Sequence, residues 1–145
     1  MAEHIEAHEV VRALGLHREG SFSWLDVNAA IQRGLPVSAI ATLREAMAPR
    51  MRDFDTLVAS ASTLKRHRRD RKPLNPVQSE RLAQLAEVWA MARDVYRDEE
   101  TARTFLQRPH PLLHGRTPLA VAAESWAGAR TVEHVLGRLK HGSAA

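Results

Sequence analysis

The chain has 145 residues, of which 44% are hydrophobic, 26% are charged and none is cysteine. That composition allows a core, excludes a disulfide framework and a thiolate metal site, and contains no apolar run near the ~20 residues of a membrane span. The net charge of +4 is local, since residues 1–72 hold 12 Lys/Arg against 9 Asp/Glu, and residues 73–145 hold 9 against 8. A concentrated excess of this kind is what an anion-binding patch requires. Met1-Ala2-Glu3-His4 lacks the charged and apolar regions of a secretory signal, so a cytoplasmic protein is expected.

Apolar positions recur at three and four throughout, without sustained strand-type alternation, so the expected fold class is all-α. A first helix is predicted over residues 3–14, stopped by Gly15, with Val10, Val11 and Leu14 as a thin apolar face. His4 and His8 stand four apart, but Val10-Val11-Arg12 follow where a zinc-protease motif needs its second histidine. No metal site is expected. Ser23 and Asp26 form a capping box for a second helix that ends at Gly34 and buries Val27, Ala30 and Ile31. After the Gly34-Leu35-Pro36 break, Ile40, Leu43 and Met47 mark a third helix stopping before Pro49. Asp53 is read as the cap of a short helix carrying Phe54, Leu57 and Val58.

The densest charge follows. Ser60 is a good N-cap for a helix entering Lys65–Lys72, where six of eight residues are Lys or Arg. Ser62, Lys65, Arg66 and Arg69 fall on one face, while Ala61 and Leu64 point the other way. Short helix, tight turn and second helix make a helix-turn-helix candidate, although the turn lacks glycine. A helix with a polar N-terminus and a cationic stripe suits the major groove of DNA. The candidate DNA-binding residues are Ser60, Ser62, Thr63, Lys65, Arg66 and Arg69. The alternative is a solvated charged linker between two helical halves.

Pro73 marks the boundary between a region 1–72 and a region 73–145. Asn75, Pro76 and Gln78 then start a long helix lined by Leu82, Leu85, Trp89, Ala92 and Tyr96, widened by Val88 and Val95. Asp98 caps a helix reaching about Gln107, with Phe105 and Leu106 inward. Residues 108–116 are irregular, and His110 and His114 read as solvent-facing or capping rather than chemical. Thr117-Pro118 begins a helix with Leu119, Ala122, Ala123 and Trp126 on one side, ended by Gly128. A last helix carries Val132, Val135, Leu136 and Leu139 and stops near Gly142. The predicted core of this half includes Trp126 and Leu139. No nucleophile elbow, phosphate-cradling glycine loop or paired carboxylates emerge, so neither enzymatic activity nor a cofactor is expected.

Four stretches of the second half occur in order: Pro73-Leu74-x4-Ser79-Glu80-Arg81-Leu82-x2-Leu85; Ala102-x2-Phe105-Leu106-x2-Pro109; Leu113-x-Gly115-x-Thr117-Pro118-Leu119; and Gly128-Ala129-x2-Val132-x3-Leu136-x-Arg138-x3-Gly142. Together they resemble the Xre/MbcA/ParS toxin-binding domain of type II antitoxins. The first half is similar to the family's Xre-type DNA-binding region. Where that region has Leu-Gly-Ile-Ser and then Arg-Thr-Leu, this chain has Leu57-Val58-Ala59-Ser60 and then Ser62-Thr63-Leu64. The resemblance implies a homodimeric antitoxin whose partner is a RES-domain toxin that consumes NAD or transfers its ADP-ribose group. It also implies a hetero-oligomer with that toxin and repression of its own operon through operator DNA. Related antitoxins obstruct the toxin's NAD site with their C-terminal region. Here that points to Lys140, His141 and Gly142, with Arg116, Arg130 and Arg138 as further toxin-binding candidates and Ser143-Ala144-Ala145 as a small tail. The other readings are a stand-alone helix-turn-helix regulator and an interaction-only antitoxin without DNA binding.

Overall fold

The computed structural model describes residues 5–16, 20 and 22–142. Its helices run in the order α1 (Ala7–Ala13), α2 (Trp24–Arg33), α3 (Ser38–Met47), α4 (Ala61–Asp70), α5 (Pro76–Tyr96), α6 (Glu99–Gln107), α7 (Pro118–Glu124) and α8 (Trp126–Lys140). Single 3₁₀ turns lie at Phe54–Leu57 and Pro111–Leu113. Among the described residues there is no strand, only an isolated bridge between His110 and Arg116. The fold is all-α.

Helix α5 is the axis of the molecule. Leu82, Leu85, Ala86, Val88, Trp89 and Ala92 are buried, but so are Gln78, Ser79, Ala83, Ala90 and Met91. A helix buried on nearly every side needs neighbours all round, and α1, α2, α3, α6, α7 and α8 supply them. The expected one-sided stripe is therefore only part of the buried surface. Four of its inward residues are alanines, which let neighbouring helices approach closely. One buried cluster runs from Ile5 through Met47, Phe54, Leu64 and Leu74 to Leu136.

The break at Pro73 separates α4 from α5, and the same point is stitched to the first half of the chain. The Leu35 N–H donates to the Ser79 hydroxyl at 2.9 Å, and the Leu74 N–H donates to the Leu35 carbonyl at 2.9 Å. Start signals follow the sequence closely. Reciprocal capping boxes join Ser23 to Asp26 and Asn75 to Gln78. Ser60, Asp98 and Thr117 cap α4, α6 and α7 as side-chain acceptors. Gly15, at φ +72°, ends α1 as expected; its N–H donates to Arg12 and the Leu16 N–H to Val11, the paired bonds of a Schellman stop. Glu3 and His4, at the predicted start of that helix, lie outside the described residues.

Several expectations require correction. Asp53 makes no side-chain cap, and the segment behind it is a 3₁₀ turn rather than a short α-helix. Ala61 is exposed, so Leu64 alone of that pair turns inward. Gly128 does not end α7. Ser125 ends it in extended conformation and caps α8, leaving Gly128 inside the first turn of α8. The cause is close packing: a Cβ on Gly128 would stand 2.1 Å from the Val121 carbonyl oxygen. Trp126 consequently begins α8, and its side chain is turned to solvent at 62% relative exposure instead of joining the core. Leu139 is only half-buried.

Candidate functional site

Two groups of candidate side chains sit on opposite parts of the chain. The first is on α4. Leu64 is buried and fixes the helix's inner face, leaving Ser62, Lys65, Arg66 and Arg69 exposed together as the helical period requires. Lys65 and Arg66 make no ion pair among the described residues, whereas Arg69 pairs with Asp70 at 3.1 Å. The Ser60 hydroxyl accepts the Thr63 N–H at 3.2 Å and donates to the Thr63 hydroxyl at 2.8 Å. Ser60 and Thr63 are thus committed to the helix start, with Ser62 3.4 Å from Ser60 between their hydroxyls.

Sequence reasoning missed what holds this helix in place. Asp55, in the 3₁₀ turn before it, receives Arg44 of α3 at 3.2 Å and Arg68 of α4 at 3.5 Å, one on each carboxylate oxygen. Arg81 of α5 adds a hydrogen bond to the Val58 carbonyl at 3.4 Å. The Asp53–Asp55 pair of acids beside Phe54 was the available signal, and the second acid carries the interaction.

The second group lies along α7 and α8. Arg116 pairs with Glu124. Arg130 pairs with Glu133 at 3.3 Å, and its guanidinium lies 5.2 Å from the centre of the Trp126 ring. Arg138, His141 and Gly142 are exposed, and Lys140 is tied to Asp94 of α5 by an ion pair. Arg130 and Lys140 are ten residues apart, about 15 Å along the helix axis. The toxin-binding candidates therefore divide between the two ends of α8. Ser143, Ala144 and Ala145 lie outside the described residues.

Glu133 is also new relative to the sequence expectations. It is 9% exposed in the seam between α8 and α5, where it shares a hydrogen bond with Glu87. Desolvation first, and the Glu87 charge second, push its carboxyl up to about 7, with Arg130 pulling the other way. The signal was in the sequence: Glu133 falls within the i, i+3, i+4, i+7 stripe of Ala129, Val132 and Leu136.

Comparison with protein families gives two matches in tandem. Residues 26–87 match the antitoxin Xre-like helix-turn-helix domain, covering most of α2, all of α3 and α4, and the first half of α5. Residues 91–142 match the antitoxin Xre/MbcA/ParS C-terminal toxin-binding domain, covering the last turns of α5 and all of α6, α7 and α8. No curated protein matches the chain. With these two domains one after the other on a single all-α chain, the protein belongs to the Xre/MbcA/ParS-type antitoxins.

Proposed function

We propose that this antitoxin neutralises a cognate RES-domain toxin by covering its NAD site, and that it represses its own operon by binding operator DNA as a homodimer. The carrying observation is the tandem of a helix-turn-helix domain and a toxin-binding domain sharing α5. On this reading region 1–72 presents α4 to DNA and region 73–145 engages the toxin. The protein acts in the cytoplasm without catalysis or a cofactor; no described helix is long and apolar enough to cross a membrane.

At the operator, Lys65, Arg66 and Arg69 neutralise phosphates, and Ser62 faces the base edges. Ser60 and Thr63 fix the helix start that presents Ser62. The exposed cationic face supports this assignment, as does the Arg44–Asp55–Arg68 brace, which holds α4 against the body of the protein. At the toxin, the C-terminal end of α8 with His141 and Gly142 enters the NAD cleft, and Arg138 lies alongside. Lys140 reaches the cleft only by exchanging Asp94 for a partner on the toxin. An NAD cleft holds cations for the pyrophosphate, so steric occlusion outweighs charge mimicry there.

Co-expression with the product of the adjacent reading frame tests the pairing. The two chains should co-purify as a complex, and the complex should shift DNA carrying the operon's promoter. A neighbour without the RES fold, or one that fails to co-purify, contradicts the toxin assignment. A complex that leaves promoter DNA unshifted favours the interaction-only antitoxin.

A further inference from the structure

We infer that the corner between α7 and α8, with Trp126 as its anchor and Arg130 beside it, is a second docking point for the toxin and receives an apolar pocket rimmed by carboxylates. This rests on the antitoxin reading and adds a contact remote from the C-terminal end. Trp126 and Lys140 are fourteen residues apart, about 21 Å along α8.

The first observation is exposure. Among the described residues, the large apolar side chains turned to solvent are Trp24, Leu25, Val77, Leu112 and Trp126. Only Leu112 and Trp126 fall within the toxin-binding segment 91–142. Trp24 and Leu25 precede both matched segments, and Val77 lies in the helix-turn-helix segment. The largest solvent-facing apolar side chain of the toxin-binding segment is therefore Trp126, which makes the toxin, rather than a second copy, its occupant.

The second observation is rigidity. No loop separates α7 from α8: Ser125 closes one and caps the other, its hydroxyl accepting the Gly128 N–H at 3.0 Å. Gly128 sits against the Val121 carbonyl with no room for a side chain. Trp126 is thus presented from a fixed backbone, and an anchor fixed before binding loses little conformational entropy on docking. Tryptophan and arginine are also the residue types that carry most binding energy at protein interfaces.

The third observation concerns charge. Arg130 covers one face of the Trp126 ring, and its carboxylate partner is Glu133. Glu133 is buried against Glu87, a setting that favours its protonated form and weakens its hold on the guanidinium. A carboxylate arriving from outside competes well for Arg130, because Glu133 can take up a proton as it is displaced. Arg116, held by Glu124 two residues before Trp126, gives the same corner a second cation. An acidic rim on the toxin is the complement.

The test uses the full chain and the product of the adjacent reading frame, with affinity measured by titration calorimetry and mass by light scattering. Trp126→Ala should weaken toxin binding at least about 30-fold, the range of an interface hot spot. Arg130→Glu should also weaken it while leaving the ring in place. Trp126→Ala should keep the wild-type helix signal and denaturation midpoint, and Arg130→Glu, which sets a third carboxylate beside Glu133 and Glu87, should keep the helix signal with a lowered midpoint. Wild-type affinity in the two folded variants overturns the corner and leaves the antitoxin reading intact. Loss of self-association in Trp126→Ala, with toxin binding unchanged, assigns the surface to a second copy and also overturns it. Failure of the wild-type chain to bind at all overturns the toxin reading, and the corner falls with it.

Discussion

The Leu74 carbonyl oxygen lies so close to Gly34 that a Cβ on that glycine would stand 2.3 Å from it. The contact brings the end of α2 against the start of α5, beside the bond from the Leu74 N–H to the Leu35 carbonyl. Gly34 also has φ +98°, outside the range of ordinary side chains. Gly34→Ala should therefore destabilise the fold by more than about 1 kcal/mol. Urea unfolding followed by circular dichroism measures this, and a single lowered transition is expected because one buried cluster joins both halves.

Trp89 and Trp126 make opposite predictions. Trp89 is 1% exposed at the centre of α5, with Arg93 and Arg103 at 5.8 and 5.7 Å from its ring. Trp89→Ala should cost about 3–5 kcal/mol of stability. Trp126→Ala should change stability by no more than about 0.5 kcal/mol, since its ring stands in solvent. Unfolding curves of the two variants, side by side, check both.

The helices were legible in the sequence because their start and stop signals are local. Ser23, Ser60, Asn75, Asp98 and Thr117 each cap the helix expected of them, and Gly15, Gly34 and Gly142 mark ends. What was not legible depends on contacts between distant residues. Gly128 looks like a stop in sequence, and only the approach of Val121 shows that it is a packing site inside α8. That one residue misplaced Trp126 into the core. The exposed cationic face of α4 followed from helical period, but its Asp55 brace joins residues 11 and 13 apart and leaves no periodic trace. Glu133 is different: it stands within an apolar stripe, but acids are mostly exposed, and its burial against Glu87 on α5 depends on a contact 46 residues away in the chain.

Stability should fall as pH rises through the titration of Glu133. Its folded carboxyl titrates near 7, above the ordinary 4.5, so between those values the folded state holds a proton that the unfolded chain has lost. The penalty is absent well below 4.5, grows across that window and is complete above 7. Glu133→Gln should flatten stability across the same range and exceed the wild type at pH 8. Denaturation midpoints at pH 5, 6, 7 and 8 test the sign; a wild-type midpoint that rises with pH while the variant stays flat contradicts it.

DNA binding, if carried by α4, should show the arithmetic of phosphate neutralisation. Replacing Lys65, Arg66 and Arg69 by alanine should reduce the log–log salt slope of promoter binding by about 0.9 for each lost phosphate contact. Asp55→Ala should lower affinity differently. It releases Arg44 and Arg68 and loosens α4, so binding weakens while the slope stays the same or steepens with the freed cations. Fluorescence anisotropy on promoter DNA at several salt concentrations separates the two effects.

The most direct measurement is NAD turnover by the product of the adjacent reading frame, titrated with the full chain and with a chain truncated after Leu139. The truncation removes Lys140, its pair with Asp94, and the exposed His141 and Gly142, while keeping the buried residues of α8. Stoichiometric inhibition by the full chain, with inhibition lost in a truncated protein that stays helical and still binds, is the predicted result. Unimpaired turnover in the presence of saturating full chain contradicts neutralisation at the NAD site.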